Sequence, residues 1–180
     1  MSKKVLVLSG SPKKNGNSSI LCDQFIKGAE EAGNTVEKLY IKDKEINYCV
    51  GCAACQRNNG VCIHKDDMPE ILNKMIEADV IVLSTPIYFY SMDAQMKTVI
   101  DRTFARYREM KDKELYIIVT GGADAEHYFE TAIDGLKGFA VCLPNAKING
   151  IIYGINSSEA GDVRNTEAMS KTYEMGKFVK

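Results

Sequence analysis

The chain has 180 residues, of which 45% are apolar and 26% charged, and its formal net charge is -1. This length and composition predict one globular domain, residues 1–180, rather than a disordered segment. The small net charge gives no basic field for nucleic acid, and no stretch approaches the roughly 20 apolar residues of a membrane span. We therefore expect neither nucleic acid nor membrane as a partner.

The chain begins with a short apolar run at residues 5–8, which predicts a first strand. This run is much shorter than the apolar core of a signal peptide, about 7–15 residues, so we expect a cytoplasmic protein. A helical period follows over residues 17–32, with Gly33 as its predicted end. Further strands are predicted at 35–41, 79–86, 115–122 and 146–153.

Helices are predicted between these strands. Asp67 and Glu70 form a capping-box pattern at the start of one helix, and further helices are expected at 91–106, 125–139 and near the carboxyl terminus. Alternating β and α segments predict a parallel sheet covered by helices on both faces, a three-layer α/β fold. Ligands of such sheets bind beyond the carboxyl ends of the strands, where loops 9–19, 84–91 and 120–127 are expected to meet.

The first of these loops, SGSPKKNGNSS, is rich in groups that bind phosphate. A phosphate needs converging N–H and O–H donors and gains from a helix amino terminus, and glycines permit close backbone approach. The other interpretation is an ordinary helix cap after a polar loop. The loop matches neither GxGxxG nor the P-loop pattern, which disfavours ATP and Rossmann-type dinucleotides. The candidate side chains are Ser9, Ser11, Asn17, Ser18 and Ser19, with Lys13 or Lys14 at the rim.

The second and third loops suit a planar ring. The second loop, 84–91, is apolar and aromatic. The third loop, 120–127, has small residues that let the backbone approach a ligand. The competing interpretations are core or interface packing for the aromatic run and an ordinary Gly-Gly turn for the other. His127, near the third loop, is interpreted as a surface histidine. The candidates are Pro86, Ile87, Tyr88, Phe89, Tyr90 and Ser91, followed by Thr120, Gly121 and Gly122.

Four cysteines are concentrated in a cysteine-rich loop at about 47–66. Cys49, Cys52, Cys55 and Cys62 follow the spacing C-x2-C-x2-C-x6-C, which can converge on one [4Fe–4S] cluster. Three alternatives remain open. The thiols can form a closed zinc site, act as free thiols or a C-x-x-C redox pair, or belong to a metal-free loop that packs against a partner subunit.

Taken together, the motifs resemble the NADPH-dependent FMN reductases with a flavodoxin-like fold. The resemblance rests on VLVLSGSPKKNGNSS, CVGCAAC, GVCIHKDDM, STPIYFYSMDAQMKTVIDR and VTGG, in order along nearly the whole chain. The cysteine motif is similar to that of the iron–sulfur flavoproteins within this group. The resemblance implies a five-stranded parallel sheet of order 2-1-3-4-5 and a homodimer or tetramer. It also implies FMN, with its phosphate on the first loop and its ring against residues 86–91.

This resemblance implies an FMN-dependent oxidoreductase that takes hydride from NAD(P)H and reduces a small-molecule or redox-protein acceptor. The chemistry would then reside on the flavin, and we expect no catalytic side chain. The rival hypothesis is an iron–sulfur flavoprotein that carries electrons between protein partners without oxidising NAD(P)H. The net charge of -1 argues weakly against a carrier, because carriers commonly dock through charge, whereas the cysteine-rich loop argues for one.

Overall fold

The computed structural model describes residues 2–180 and contains a central parallel sheet. Its order is β2-β1-β3-β5-β6, which is 2-1-3-4-5 when the parallel strands alone are numbered. This confirms the predicted fold class. The parallel strands are β1 (Lys4–Ser9), β2 (Thr35–Tyr40), β3 (Val80–Tyr88), β5 (Glu114–Thr120) and β6 (Lys147–Gly154). A sixth strand within residues 2–180, β4 (Ser91–Met92), was not predicted and pairs antiparallel with the end of β3.

Helices connect these strands. Short 3₁₀ turns lie at Ile41–Asp43, Thr103–Ala105, Tyr107–Glu109, Glu126–Phe129 and Asp162–Asn165. The α-helices are α1 (Asn17–Glu31), α2 (Ala54–Arg57), α3 (Met68–Glu77), α4 (Ala94–Arg102), α5 (Glu130–Cys142) and α6 (Ala168–Lys177). Within residues 2–180, no helix is long and apolar enough to span a bilayer.

Two predicted helices are shorter than their sequence patterns suggest. The helix expected over 91–106 begins only at Ala94, because residues 91–92 pair with β3 and Asp93 caps the helix. It ends at Arg102 and continues as a 3₁₀ turn. The helix expected over 125–139 opens as a 3₁₀ turn and becomes α-helical only from Glu130.

The predicted capping box at the start of α3 is wrong. The carboxylate of Asp67 does not cap this helix but accepts the N–H of Glu45 at Oδ2, at 2.8 Å. Asp66 supplies the local bond instead, because its Oδ1 accepts the N–H of Met68 at 3.2 Å. A tertiary contact with a residue 22 positions away has therefore replaced a local one.

Side chains of the sheet alternate between two apolar layers. In β1, Leu6 and Leu8 pack towards α3, α4 and α5, while Val5 and Val7 pack towards α1 and α6. Strands covered on both faces explain the continuous apolar runs in the sequence. Helices α1 and α6 approach so closely that a Cβ on Gly28 would lie 2.1 Å from the carbonyl oxygen of Tyr173.

Candidate cofactor site

A polar cavity of about 160 Å³ lies at the carboxyl ends of the strands. It brings together residues from all three predicted loops and from a fourth segment, after β6, that the sequence analysis missed. Its lining consists of Ser11, Lys13, Gly16, Asn17, Ser18, Pro86, Ile87, Tyr88, Thr120, Gly121, Gly122, Ser157, Ser158 and Ala160.

Helix α1 points its amino terminus at this cavity. The first N–H groups of a helix have no intrahelical partner and carry a partial positive charge. Gly16 is the N-cap, no side chain within the described residues caps the helix, and its first turn contains no acidic residue. This end of α1 is therefore able to receive an anion such as a phosphate.

Most hydroxyl groups of the first loop are held by other protein groups. The Ser18 hydroxyl lies 2.7 Å from the Thr120 hydroxyl, and the Ser19 hydroxyl lies 2.8 Å from Lys38 Nζ. Ser11 Oγ accepts the N–H of Lys13 at 3.2 Å. These bonds shape the loop and link it to β2 and β5. Ser9 differs, because its Oγ is buried and has no hydrogen-bond partner within residues 2–180.

The Asn17 side chain anchors the fourth segment. Its Nδ2 donates to the carbonyl groups of Ser157 and Glu159, at 3.0 and 2.8 Å, and its Oδ1 accepts the N–H of Gly161 at 2.9 Å. With these bonds made, Asn17 offers a ligand chiefly its backbone. The polar stretch NSSEAGD directly after the last strand was the signal that would have revealed this segment.

One of the three lysines near the start of α1 lines the polar cavity. Lys13 lines it, whereas Lys14 pairs with Asp43 at 2.6 Å. Lys38, which the sequence analysis missed, lies below the start of α1 and pairs with Asp23 at 2.6 Å. Burial lowers the pKa of Lys38, but hydrogen bonds with Asp23 and Tyr40 outweigh this effect and raise it, so the amine stays charged.

A second, aromatic cavity of about 570 Å³ adjoins the polar one. The two share Ile87, Gly121 and Gly122, so they adjoin, and together they form a depression that is polar at one end and aromatic at the other. The remaining lining residues are Phe89, Tyr90, Ala123, Asp124, Tyr128 and Phe129. The His127 ring lies 4.0 Å from the Tyr128 ring, centroid to centroid, and does not itself line the cavity.

The edge of the aromatic cavity is a tight hairpin. Ile87 pairs with Met92 and Tyr88 with Ser91, which leaves Phe89 and Tyr90 as the turn, with φ of 47° and 63°. Positive φ at both positions is the type I′ pattern, which favours Asn-Gly and costs other residues about 1 kcal/mol or more each. Phe89 is also fully exposed. Ser91, a predicted site residue, takes part in the pairing but does not line either cavity.

Asp93 lies close to Thr85 of β3 and to Gly10 of the first loop. Its carboxylate accepts the Thr85 hydroxyl at 2.7 Å and the N–H of Met96 at 2.8 Å, so it caps α4. Burial raises the pKa of Asp93, and the two hydrogen bonds only partly oppose this. The sequence analysis missed this residue, because its local sequence indicates no more than an ordinary helix cap.

The residues present fit a cofactor with a phosphate and a planar ring. The uncapped start of α1 lies at the polar end, where its first N–H groups are able to receive a phosphate, and aromatic side chains surround the other end. FMN has both features, so the depression fits FMN.

The four cysteines of the cysteine-rich loop are free thiols on a separate segment. Cys49 and Cys52 are exposed, and Cys55 and Cys62 are half-buried. Across residues 2–180, no three His, Cys, Asp or Glu side chains are grouped as a metal site. Four thiols match the donor set of the predicted zinc alternative. The donor set fits a [4Fe–4S] cluster, which takes four thiolates. The buried Nε2 of His64 on this segment also has no partner among the described residues.

Residues 3–142 match the family model of the NADPH-dependent FMN reductases. The chain belongs to this family. Two relatives of this chain are named iron–sulfur flavoproteins. One, from Archaeoglobus fulgidus, is 43% identical over 99 residues, which cover 55% of this chain and 44% of the relative. The other, from Methanocaldococcus jannaschii, is 42% identical over 100 residues, covering 56% and 51%. The chain thus spans about half the length of these curated relatives.

Solved structures of an azoreductase and of a quinone oxidoreductase share the fold. An azoreductase from Bacillus anthracis superposes with a TM-score of 0.77 at 17% identity, covering 98% of this chain and 99% of that one. An NAD(P)H:quinone oxidoreductase from Methanothermobacter marburgensis gives a TM-score of 0.74 at 15% identity, covering 100% of both chains. At such low identity these matches show the fold alone.

Proposed function

We propose that this chain is an FMN-dependent oxidoreductase that accepts hydride from NADPH or NADH and reduces a small-molecule or redox-protein acceptor. The observation that carries the proposal is the depression formed by the two adjoining cavities at the carboxyl ends of the strands. Its polar end lies at the uncapped start of α1, and its aromatic end is large enough for a ring system. Membership of the FMN reductase family supports the identity of the cofactor.

The residues of the chain bind and orient the cofactor in this proposal. The first-turn N–H groups of α1, together with Ser11, Lys13 and Ser18, hold the phosphate, and Thr120 fixes Ser18 in place. The bound flavin supplies the hydride and electron chemistry. Pro86, Ile87 and the aromatic hairpin face the ring from one side. Gly121 and Gly122 form the wall common to both cavities, where the backbone can approach the ring closely.

The first experiment is a visible spectrum of the anaerobically purified protein before and after NADPH or NADH is added. We expect flavin absorbance bands at about one FMN per chain, and we expect them to bleach within the mixing time. A protein that does not bind FMN even when it is supplied would overturn the proposal. Bound flavin that stays oxidised would contradict NAD(P)H oxidation and favour the second candidate.

The second candidate is an electron carrier that exchanges electrons with protein partners. The observation that favours it is the cysteine-rich loop, with four thiols suited to an iron–sulfur cluster. Absorbance beyond the flavin bands, with matching iron and sulfide, would support a cluster. We also propose a homodimer or tetramer, as the resemblance to the FMN reductases implies.

A further inference from the structure

The four cysteines lie on a segment with little regular structure. Between the 3₁₀ turn that ends at Asp43 and the start of α3 at Met68, the described chain forms a single helix, α2, of four residues. A segment of this kind has few backbone hydrogen bonds to hold it in one conformation. Side-chain contacts must therefore fix the position of its thiols.

The two ends of this segment lie side by side. The N–H of Asn47 donates to Asp66 Oδ2 at 2.9 Å. Glu45 and Asp67 bond reciprocally: the Glu45 N–H donates to Asp67 Oδ2 at 2.8 Å, and the Asp67 N–H donates to the Glu45 carbonyl at 2.9 Å. Residues 47–66 therefore form a closed loop that contains all four cysteines.

One arginine holds both ends of this loop. Arg102 Nη1 donates to Asp66 Oδ2 and to the Asn47 carbonyl, both at 2.6 Å, and its Nη2 donates to Asp66 Oδ1 at 3.0 Å. The side chains of Arg102 and Asp66 are only 2% and 1% exposed. Such a two-pronged pair fixes the relative orientation of both groups as well as their distance.

The same helix connects this pair with the candidate flavin site. Arg102 is the last residue of α4, and Asp93 caps its first turn. Asp93 in turn contacts Thr85, and a Cβ on Gly10 would lie 2.3 Å from its Oδ2. The nine residues of α4 span about 13 Å. Helix α4 is thus a rigid spacer between the loops of the polar cavity and the ends of the cysteine segment.

A buried ion pair by itself contributes little net stability to a fold. Apolar residues of similar volume are often as stabilising or more so, because burying two charges costs solvation. A bidentate arginine nevertheless does what an apolar pair cannot do, since it orients a carboxylate and a carbonyl group at once. The Asp66–Arg102 pair is therefore better explained by positioning than by stability.

We propose that Asp66 and Arg102 form a clasp that closes the cysteine segment and positions its thiols to ligate an iron–sulfur cluster. The clasp also sets the place of this segment relative to the flavin site, through α4. Both are positioning residues, because neither is one of the thiol ligands. The inference rests on the proposed flavin-binding function and on the cysteines as ligands, and it does not depend on NAD(P)H oxidation.

The test compares Arg102→Lys with the wild type after anaerobic reconstitution with ferrous iron and sulfide. Lysine keeps the charge but loses the two-pronged geometry. We expect full FMN binding, about 10- to 100-fold weaker retention of iron against a chelator, and faster tryptic cleavage after the exposed Arg57. The matched control is Arg108→Lys, which should behave as the wild type. Arg108 is an exposed arginine in the 3₁₀ turn Tyr107–Glu109, which follows α4.

A second variant covers the case in which Arg102→Lys does not fold. Arg102→Met combined with Asp66→Leu removes both charges and leaves neither one unpaired, so we expect it to fold and bind FMN while losing iron and resistance to trypsin. A folded variant of either kind that equals the wild type in both readouts would overturn the clasp. A reconstituted wild type without iron would overturn the cluster role. Reduction by NADPH, measured on the same sample, tests the proposed function separately.

Discussion

Gly10, in the first loop, lies close to β3 and to Asp93. It follows Ser9 at the end of β1, and its N–H donates to the carbonyl of Ser84 at 2.8 Å. A Cβ at this position would lie 2.3 Å from Asp93 Oδ2 and 3.0 Å from its Cγ. Since Asp93 is held by Thr85 and by the start of α4, it has little freedom to move aside.

We therefore expect Gly10→Ala to lower the free energy of unfolding by about 1–3 kcal/mol, as overpacking does elsewhere. The same change should loosen the first loop and reduce the FMN retained through gel filtration. Urea unfolding and flavin fluorescence measure the two effects. The matched control is Gly138→Ala in α5, where a Cβ meets nothing within 4 Å. This control should raise the free energy of unfolding by about 0.5–1 kcal/mol. Equal effects of the two changes would contradict the proposed close contact.

At the scale of elements, the start of α1 is organised by a segment about 140 residues away. The Asn17 side chain bonds to three backbone groups between β6 and the Asp162–Asn165 turn. This contact closes the polar cavity on the side that the first three loops leave open. The helix amino terminus and the wall facing it are thus positioned by one side chain.

Asn17→Ala removes these three bonds and should lower the free energy of unfolding by about 1–3 kcal/mol. With the segment after β6 released, FMN should bind on the order of 10-fold more weakly, which corresponds to about 1.4 kcal/mol. Isothermal titration of the apoprotein with FMN measures the affinity. The control is Asn15→Ala, an exposed position in the same loop, for which no change is expected. Unchanged FMN affinity in Asn17→Ala would show that this segment does not take part in the site.

The stability of the whole molecule in acid depends on the clasp. Burial alone raises the pKa of Asp66, but hydrogen bonds from Arg102 and from the N–H groups of Asn47 and Met68 outweigh it and hold the pKa well below its usual range. A carboxyl group of this kind contributes stability above its unfolded pKa, about 3.9, and that stability is lost as pH falls through the folded pKa.

We expect Asp66→Asn to lower the free energy of unfolding at about pH 7 by about 3–5 kcal/mol, because it leaves Arg102 buried without its carboxylate. The difference from the wild type should shrink below about pH 4, because the Asp66 carboxyl of the unfolded chain then binds a proton while that of the folded chain does not. Urea unfolding of the FMN-loaded proteins over a pH series measures this. Asp101→Asn, which breaks an exposed pair with Lys97, should cost less than about 1 kcal/mol. A difference that stays constant with pH would contradict the assigned ion pair.

Much of this architecture could be predicted from the sequence because it depends on local patterns. The run at residues 5–8 indicated a buried parallel strand, and Gly33 ends α1 in the left-handed conformation at φ 88°. The sheet order and the identity of the cofactor came from the family resemblance instead. The hairpin at 89–90 and the partner of Asp67 could not be predicted, because tertiary contacts there replaced the local preference.

The sequence by itself determined the alternation of strands and helices and therefore which loops meet at the carboxyl edge of the sheet. Periodicity and turn residues depend on a few neighbouring residues, so they can be recognised in the sequence. Only the tertiary structure decided that Asn17 binds the segment after β6 and that Arg102 holds both ends of the cysteine segment. These pairings join residues between 36 and 144 positions apart. They arise from burial and packing geometry, which no local pattern of residues records.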